Sequence, residues 1–190
     1  MDAGTEYCIV KLSQAHDLSR FDCGNDALNM WLKRFAWTNV RNDSARVYVL
    51  HRHDRVVRGY YALTAGSIHR EDAPQRVSQG LAGHPIGVAV MGRLAVDSSQ
   101  QGEGLGTTLL QDGLMRVEQA GDMIAIRAVL VQAVNDTARD FYLRFGFSPS
   151  PIDELRLMVL MKDLRVFLRT RKDPARRARP LLQGVISQIA

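Results

Sequence analysis

GVAVMGRLAVDSSQQGEGLGT, residues 87–107, holds the change of pattern on which the fold reading turns. Gly87 to Val96 is a run of small, β-branched and aliphatic residues in which Arg93 is the only charge, as expected of a buried central strand. Gly92 interrupts it as a bulge or a close-approach site would require. Beyond Gln101-Gly102-Glu103-Gly104-Leu105-Gly106-Thr107 comes a helix from about Leu105 to Ala120. Its Leu105, Leu109, Leu114 and Val117 mark one buried face, and Gly121 supplies the stop. A glycine-rich turn between strand and helix points its amides outward at a helix N-terminus, which attracts phosphate. Two better-known phosphate loops do not fit. GxxxxGK[ST] requires a lysine that is absent, and GxGxxG requires a third glycine one position after Gly106, which argues against a nucleotide hydrolase and a Rossmann dehydrogenase.

Upstream of this stretch, Tyr7 to Leu12 reads as a first strand. Phe21-Asp22-Cys23-Gly24-Asn25 supplies a turn and a cap, and Leu28, Trp31, Leu32 and Phe35 follow at helical spacing. Arg46 to Leu50 and Val56 to Thr64 read as two strands joined at His53-Asp54-Arg55, with Ile68 to Pro85 as a long loop. Downstream, Ile124 to Val134 is the next expected strand. Asn135 caps a helix from Thr137 to Phe145 that Gly146 ends, and Leu155 to Met161 can close the sheet. With no internal repeat and no core pattern beyond Arg169, the expectation is one α/β domain over 1–164 and an Arg-rich tail over 165–190.

A chain of 190 residues that is 46% hydrophobic and 24% charged suits a single globular domain. No apolar run approaches the ~20 residues that cross a bilayer, and the opening MDAGTEYCIV lacks the signal-peptide pattern, so a cytoplasmic protein with no membrane partner is expected. Cys8 and Cys23 have neither CxxC spacing nor a histidine cluster around them; they read as buried, reduced thiols, and no metal site is expected. The formal charge of +5 divides unevenly. Residues 1–162 carry 18 Lys+Arg against 18 Asp+Glu, and residues 163–190 carry seven against two. Arginine outnumbers lysine 21 to 4, which suits phosphate recognition but equally suits a codon bias.

Gln101-x-x-Gly104-x-Gly106 resembles the Q/R-x-x-G-x-G/A loop of GNAT acetyltransferases. Asn135, Ala138, Tyr142, Gly146 and Phe147 follow in the N-x-x-A-x-x-x-Y-x-x-x-G-F order that recurs there. The resemblance implies a GNAT fold, a mixed and mostly antiparallel sheet of about six to seven strands flanked by about four helices, and acetyl-CoA as acyl donor. It also implies that Leu94, Ala95 and Val96 offer backbone groups to the pantetheine arm and that Gln101, Gly102, Glu103, Gly104, Leu105, Gly106 and Thr107 hold the pyrophosphate. Asn135 is a further donor-site candidate, with a plain helix cap as the competing reading. Tyr142 is implied as the acid that protonates the leaving thiolate, although an aromatic at that spacing, beside Phe141 and Phe145, also suits a core.

A lysine acceptor, with a pKa of ~10.4, needs a base near neutral pH, whereas an α-amine at ~8 is already partly neutral. Residues 87–96 contain no carboxylate and Asp97 is the nearest, which favours an α-amine acceptor. Phe21-Asp22-Cys23-Gly24-Asn25-x-x-Leu28-Asn29-x-Trp31-Leu32, Tyr60-Tyr61-Ala62-Leu63 and Gly92-Arg93-Leu94-Ala95-Val96-Asp97 resemble the TacT-type toxins of type II toxin–antitoxin modules over about Tyr7 to Met161. That resemblance implies acetylation of the amino acid on a charged tRNA, arrest of translation, and silencing by an antitoxin with a ribbon-helix-helix part. Phosphate contacts would then be needed, for which Arg46, Arg70, Arg76 and Arg93 are candidates; each also reads as an ordinary solvated residue. A homodimer would help span so large an anion, but no residue demonstrates an interface. The tail from Arg165 reads as an RNA-binding arm, an antitoxin-docking segment or a disordered extension. Two other functions remain open at this stage: a GNAT enzyme acting on protein N-termini or a small amine, and a non-catalytic coenzyme A-binding regulator.

Overall fold

The structure, a computed structural model, describes residues 6–172. A seven-stranded sheet has the order β1-β2-β3-β4-β5-β7-β6. The strands are β1 (Cys8–Lys11), β2 (Arg46–His51), β3 (Val57–Ile68), β4 (Ile86–Val96), β5 (Ala128–Gln132), β6 (Ser148–Pro149) and β7 (Arg156–Leu160). The pairs β1–β2, β2–β3, β5–β7 and β6–β7 are antiparallel. The helices are α1 (Asp26–Met30) and α2 (Ala36–Arg41), joined without a break by a π turn (Trp31–Phe35), then α3 (Gln75–Ser78), α4 (Leu105–Ala120), α5 (Asp136–Leu143) and α6 (Met161–Lys172). The expected mixed sheet of six to seven strands is present, with six helices where about four were expected.

The chain forms two compact units, 6–64 with 91–114 and 65–90 with 115–172. In the first, Asn25 caps the helical run by accepting from the Leu28 amide at 3.1 Å, and the π turn buries Trp31 and Leu32. Five consecutive residues of β2, Val47 to His51, are buried, which requires cover on both faces of the strand. Phe21 meets Tyr60 edge-on at 5.5 Å, and Trp31 stacks on Tyr60 at 6.0 Å. These rings join Leu32, Val47, Val49 and Ala95 in one cluster. A Cβ at Gly92 would meet nothing within 4 Å, so close approach does not explain that glycine.

In the second unit Ile68, Val77, Ile86, Val88, Ala128, Leu130 and Met158 form the core. The expected loop over 68–85 contains a 3-10 turn (Arg70–Asp72) and α3, whose Val77 is buried. The strand expected from Ile124 begins only at Ala128. The amides of Met123 and Ile124 both donate to the Ala120 carbonyl at 3.0 Å, so these residues prolong the end of α4 as turns, and their side chains are exposed. An apolar run in the sequence does not reveal that its amides are already committed to the helix before it.

The expected boundary at 164/165 falls inside α6, where Leu164 and Phe167 are buried. Burying each contributes about 1.5–3 kcal/mol. Arg165, paired with Glu118 and Asp122, adds about 0–1 kcal/mol per surface pair, so apolar packing holds this helix. The rest of the Arg-rich tail, 173–190, lies outside the described residues. Cys8 and Cys23 are free thiols and half-buried rather than buried. Among the described residues no helix is long and apolar enough to cross a membrane.

Candidate active site

The loop from Gln101 to Gly104 is exposed and ends at the first turn of α4. Gly102 and Gly104 hold φ of +84° and +81°, a left-handed conformation that costs an L residue roughly 1–2 kcal/mol, and the space a Cβ would enter is empty at both. The helix's hydrogen bonding begins with the Thr108 amide on the Gly104 carbonyl, at 3.1 Å. The amides of Leu105, Gly106 and Thr107 therefore precede the first intrahelical bond. Bare left-handed glycines followed by the N-terminus of a 16-residue helix make a cradle that fits a diphosphate. Leu105 is buried beneath it and Glu103 is exposed.

Gln101 fastens the cradle to the unit beneath. Its Nε2 donates to the Val96 carbonyl at 3.0 Å and to the Cys23 carbonyl at 3.2 Å. Ala95 and Val96 are buried and Leu94 is half-buried at the end of β4. The next residue, Asp97, caps the 3-10 turn Ser98–Gln100. Its Oδ1 accepts from the Ser99 amide and hydroxyl at 3.0 and 2.6 Å, and its Oδ2 accepts from the Asp22 amide at 2.9 Å. Asp22 in turn accepts from the Gly24 amide and from Asn29 Nδ2, at 2.9 and 2.7 Å. Burial raises the Asp97 pKa, but the hydrogen bonds from Ser99 and Asp22 outweigh it and hold the carboxyl below its usual range. A carboxylate so engaged is a poor general base. The two sequence segments with the most detailed family resemblance, 21–32 and 92–97, thus meet through Asp22 and Asp97. Asp97-x-Ser99 is a capping pattern, and that signal was legible in the sequence.

Asn135 and Tyr142 belong to the second unit. Asn135 caps α5, its Oδ1 accepting from the Ala138 amide at 2.9 Å. Tyr142 is buried near the end of α5, with the Phe141 and Phe147 rings at 5.2 and 5.5 Å. Its carbonyl accepts from the Phe145 and Phe147 amides at 2.9 and 3.4 Å, around left-handed Gly146. Burial pushes the Tyr142 pKa up to about 12, and its hydroxyl makes no hydrogen bond among the described residues. Such a phenol stays protonated near neutral pH, so it carries a proton to give and is no base, although burial also makes it a weaker acid than an ordinary tyrosine.

The arginines are dispersed. Arg46 pairs with Asp43 at 2.6 Å, and the Arg93 guanidinium lies 4.2 Å from the centre of the Trp31 ring; both are in the first unit. In the second, Arg70 donates to the Leu81 carbonyl, and Arg76 Nη2 reaches both Asp163 oxygens at 2.8 Å. The exposed pairs of Arg46 and Arg76 are worth about 0–1 kcal/mol each, little enough for a phosphate to displace. Among the described residues no group of three or more His, Cys, Asp or Glu is arranged to hold a metal ion.

Residues 43–149 match the model of the acetyltransferase (GNAT) domain. The chain belongs to the GNAT acetyltransferase family. It is 44% identical to the tRNA-acetylating toxin of Mycobacterium tuberculosis (strain ATCC 25618 / H37Rv) over 158 residues, 83% of this chain and 94% of that one. Among solved structures it resembles AtaT complexed with acetyl-methionyl-tRNAfMet (32% identity, 86% of this chain and 99% of that one, TM-score 0.80). It also resembles a tyrosine-to-phenylalanine mutant of the toxin AtaT bound to the C-terminus of the antitoxin AtaR and acetyl-CoA (31% identity, 86% and 99% coverage, TM-score 0.73).

Proposed function

We propose that this chain is the toxin of a type II toxin–antitoxin module, an N-acetyltransferase that transfers the acetyl group of acetyl-CoA to the α-amine of an aminoacyl-tRNA and so blocks translation. The observation that carries this reading is the 44% identity to a tRNA-acetylating toxin over nearly the whole of that protein. The site chemistry supports it, because the carboxylate nearest the end of β4 is occupied by Asp22 and Ser99. An acceptor that needs no strong base suits such a site. The partner is an antitoxin with a ribbon-helix-helix part, the place of action is the cytoplasm, and a homodimer would present two such sites to RNA.

Acetyl-CoA supplies an activated thioester. The amides of Gln101 to Thr107 would hold its pyrophosphate, and the backbone of Leu94, Ala95 and Val96 would pair with the pantetheine arm. Asn135, whose Oδ1 already caps α5, contributes its remaining polar groups to the donor side. An α-amine with a pKa of ~8 is partly neutral at physiological pH. The amine nitrogen would bond to the acetyl carbon as the C–S bond breaks and its released proton passes to water; Tyr142 would supply its phenolic proton to the departing sulfur and regain one from solvent. Arg46, Arg70, Arg76 and Arg93 contact phosphates of the tRNA.

The test supplies the purified protein with labelled acetyl-CoA and a pool of charged tRNA, and identifies any acetylated aminoacyl adenosine by mass spectrometry. Uncharged tRNA and a lysine peptide serve as controls. Label confined to charged tRNA is expected. Label on peptides or small amines instead would keep the acetyltransferase and remove the toxin.

A further inference from the structure

We propose that Tyr7 and Arg52 are positioning residues for the acyl-donor site, acting through Gln100 on the loop that holds the pyrophosphate. Cys8 pairs with His51 at the ends of β1 and β2, so Tyr7 and Arg52, one residue beyond each, emerge side by side. The Arg52 guanidinium lies 4.7 Å from the centre of the Tyr7 ring, and its Nη2 donates to the Tyr7 hydroxyl at 2.8 Å. The phenol has one proton to give. It lies 2.6 Å from Gln100 Oε1 and 3.5 Å from Glu103 Oε2, so the bond goes to Gln100. A cationic donor on a hydroxyl strengthens that hydroxyl's own donation.

Gln100 is the last residue before the loop. Its side-chain amide donates to the Ser99 carbonyl at 3.0 Å, and its backbone amide to the Asp97 carbonyl at 2.9 Å. With Gln101 tied to Val96 and Cys23, two consecutive side chains anchor the loop before left-handed Gly102 and Gly104. Two glycines so close together leave the segment conformationally free, so the orientation of its amides depends on how firmly its first residues are held. Arg52 Nε is buried without a hydrogen-bond partner, the one such side-chain nitrogen among the described residues. The guanidinium is therefore placed by its contact with Tyr7 and not by its own full hydrogen bonding. Arg52 also brings a positive charge to a neighbourhood where Glu103 adds a negative one beside the expected diphosphate.

This inference rests on the reading of residues 101–107 as the acetyl-CoA site. The test is calorimetric binding of acetyl-CoA together with steady-state kinetics on wild type, Tyr7→Phe, Arg52→Leu, Arg52→Lys and the double variant Tyr7→Phe/Arg52→Leu, with thermal melts to confirm folding. Loss of one hydrogen bond of this kind predicts a rise of about fivefold in both Kd and KM for acetyl-CoA, with kcat within about twofold of wild type. Arg52→Lys, which keeps a cationic donor, should restore most of the affinity. The double variant should be no weaker than Tyr7→Phe alone, because the two contacts act in series. Gln100→Met breaks the same relay from the loop side and should match Tyr7→Phe; it also tests the proposal if Arg52→Leu fails to fold. Unchanged acetyl-CoA affinity in Tyr7→Phe and Gln100→Met, or a fall in kcat at constant KM, would overturn the inference. Failure of wild type to bind acetyl-CoA would overturn the donor-site reading itself, a separately visible result.

Discussion

In the first unit, the end of β4 and the loop after it are held by polar contacts. Asp97 and Asp22 cap turns, Gln101 ties two carbonyls together, and Tyr7 reaches Gln100. In the second unit, the end of α5 is held by apolar ones: Tyr142 lies among Phe141 and Phe147, and its hydroxyl has no hydrogen-bond partner among the described residues. The difference suits the roles proposed for the two regions, diphosphate binding for the first and proton delivery for the second. Holding a diphosphate requires many donors in fixed directions, and hydrogen bonds supply direction. Delivering one proton requires a group that keeps it, and burial keeps a phenol neutral.

Replacing Tyr142 by Phe tests the second half of this contrast and should have the largest effect. A general acid contributes about 10²–10⁴-fold, so kcat should fall into that range while acetyl-CoA affinity, measured by calorimetry, stays nearly unchanged. A fall in affinity as large as the fall in kcat would make Tyr142 part of the binding apparatus and dissolve the contrast.

Gly104→Glu tests the first half. Acetyl-CoA binding should be lost, since bulk, negative charge and a strained left-handed residue coincide at one position of the cradle. Gly104→Ala carries only the backbone strain of roughly 1–2 kcal/mol and should weaken binding about 5- to 30-fold. Normal affinity in a folded Gly104→Glu protein would move the diphosphate elsewhere.

Asp97→Ala separates scaffold from base. Removing a half-buried, charged acceptor from the Asp22 and Ser99 amides should cost about 1–3 kcal/mol, a fall in Tm of about 3–10 °C. The pH dependence of turnover should keep its shape. If that dependence loses its acid limb while Tm holds, Asp97 is the base and an α-amine acceptor is no longer favoured.

The raised Tyr142 pKa makes a further prediction of sign. The phenol donates only while protonated, so its contribution is complete well below a pKa of about 12 and is lost as pH rises through that value. At pH 10 about 1% would be ionised, against half for an ordinary tyrosine near 10. Turnover on a stable α-amine acceptor should therefore show no alkaline fall between about pH 8 and 10. A fall centred near 10 would mean that burial does not govern this group. Smallest of all, Arg46→Gln and Arg76→Gln should each reduce the salt slope of tRNA binding by about one, since single phosphate contacts are peripheral to both regions.

Much of this was legible in the primary structure because it depends on local pattern. The glycine spacing, the amphipathic face of α4, the Asn135 cap and the order of Tyr142, Gly146 and Phe147 are all properties of short segments, and hydrogen bonding within the backbone reads them directly. The strand expected from Ile124 starts later because the Ala120 carbonyl captures the Met123 and Ile124 amides, and α6 runs past the expected boundary because buried Leu164 and Phe167, not helix signals, hold it. Other features required the fold. The chain alone could not show that Asp97 would be consumed by an amide 75 residues earlier, that Tyr7 would lie 2.6 Å from a glutamine 93 residues later, or that Tyr142 would be desolvated. By itself the sequence determined the family and put forward residues 101–107 and Tyr142 as the proposed donor loop and acid, because these depend on residue type and spacing. Only the tertiary structure decided which polar groups are already engaged and which remain available for chemistry, because hydrogen bonding and burial are set by residues distant in the chain.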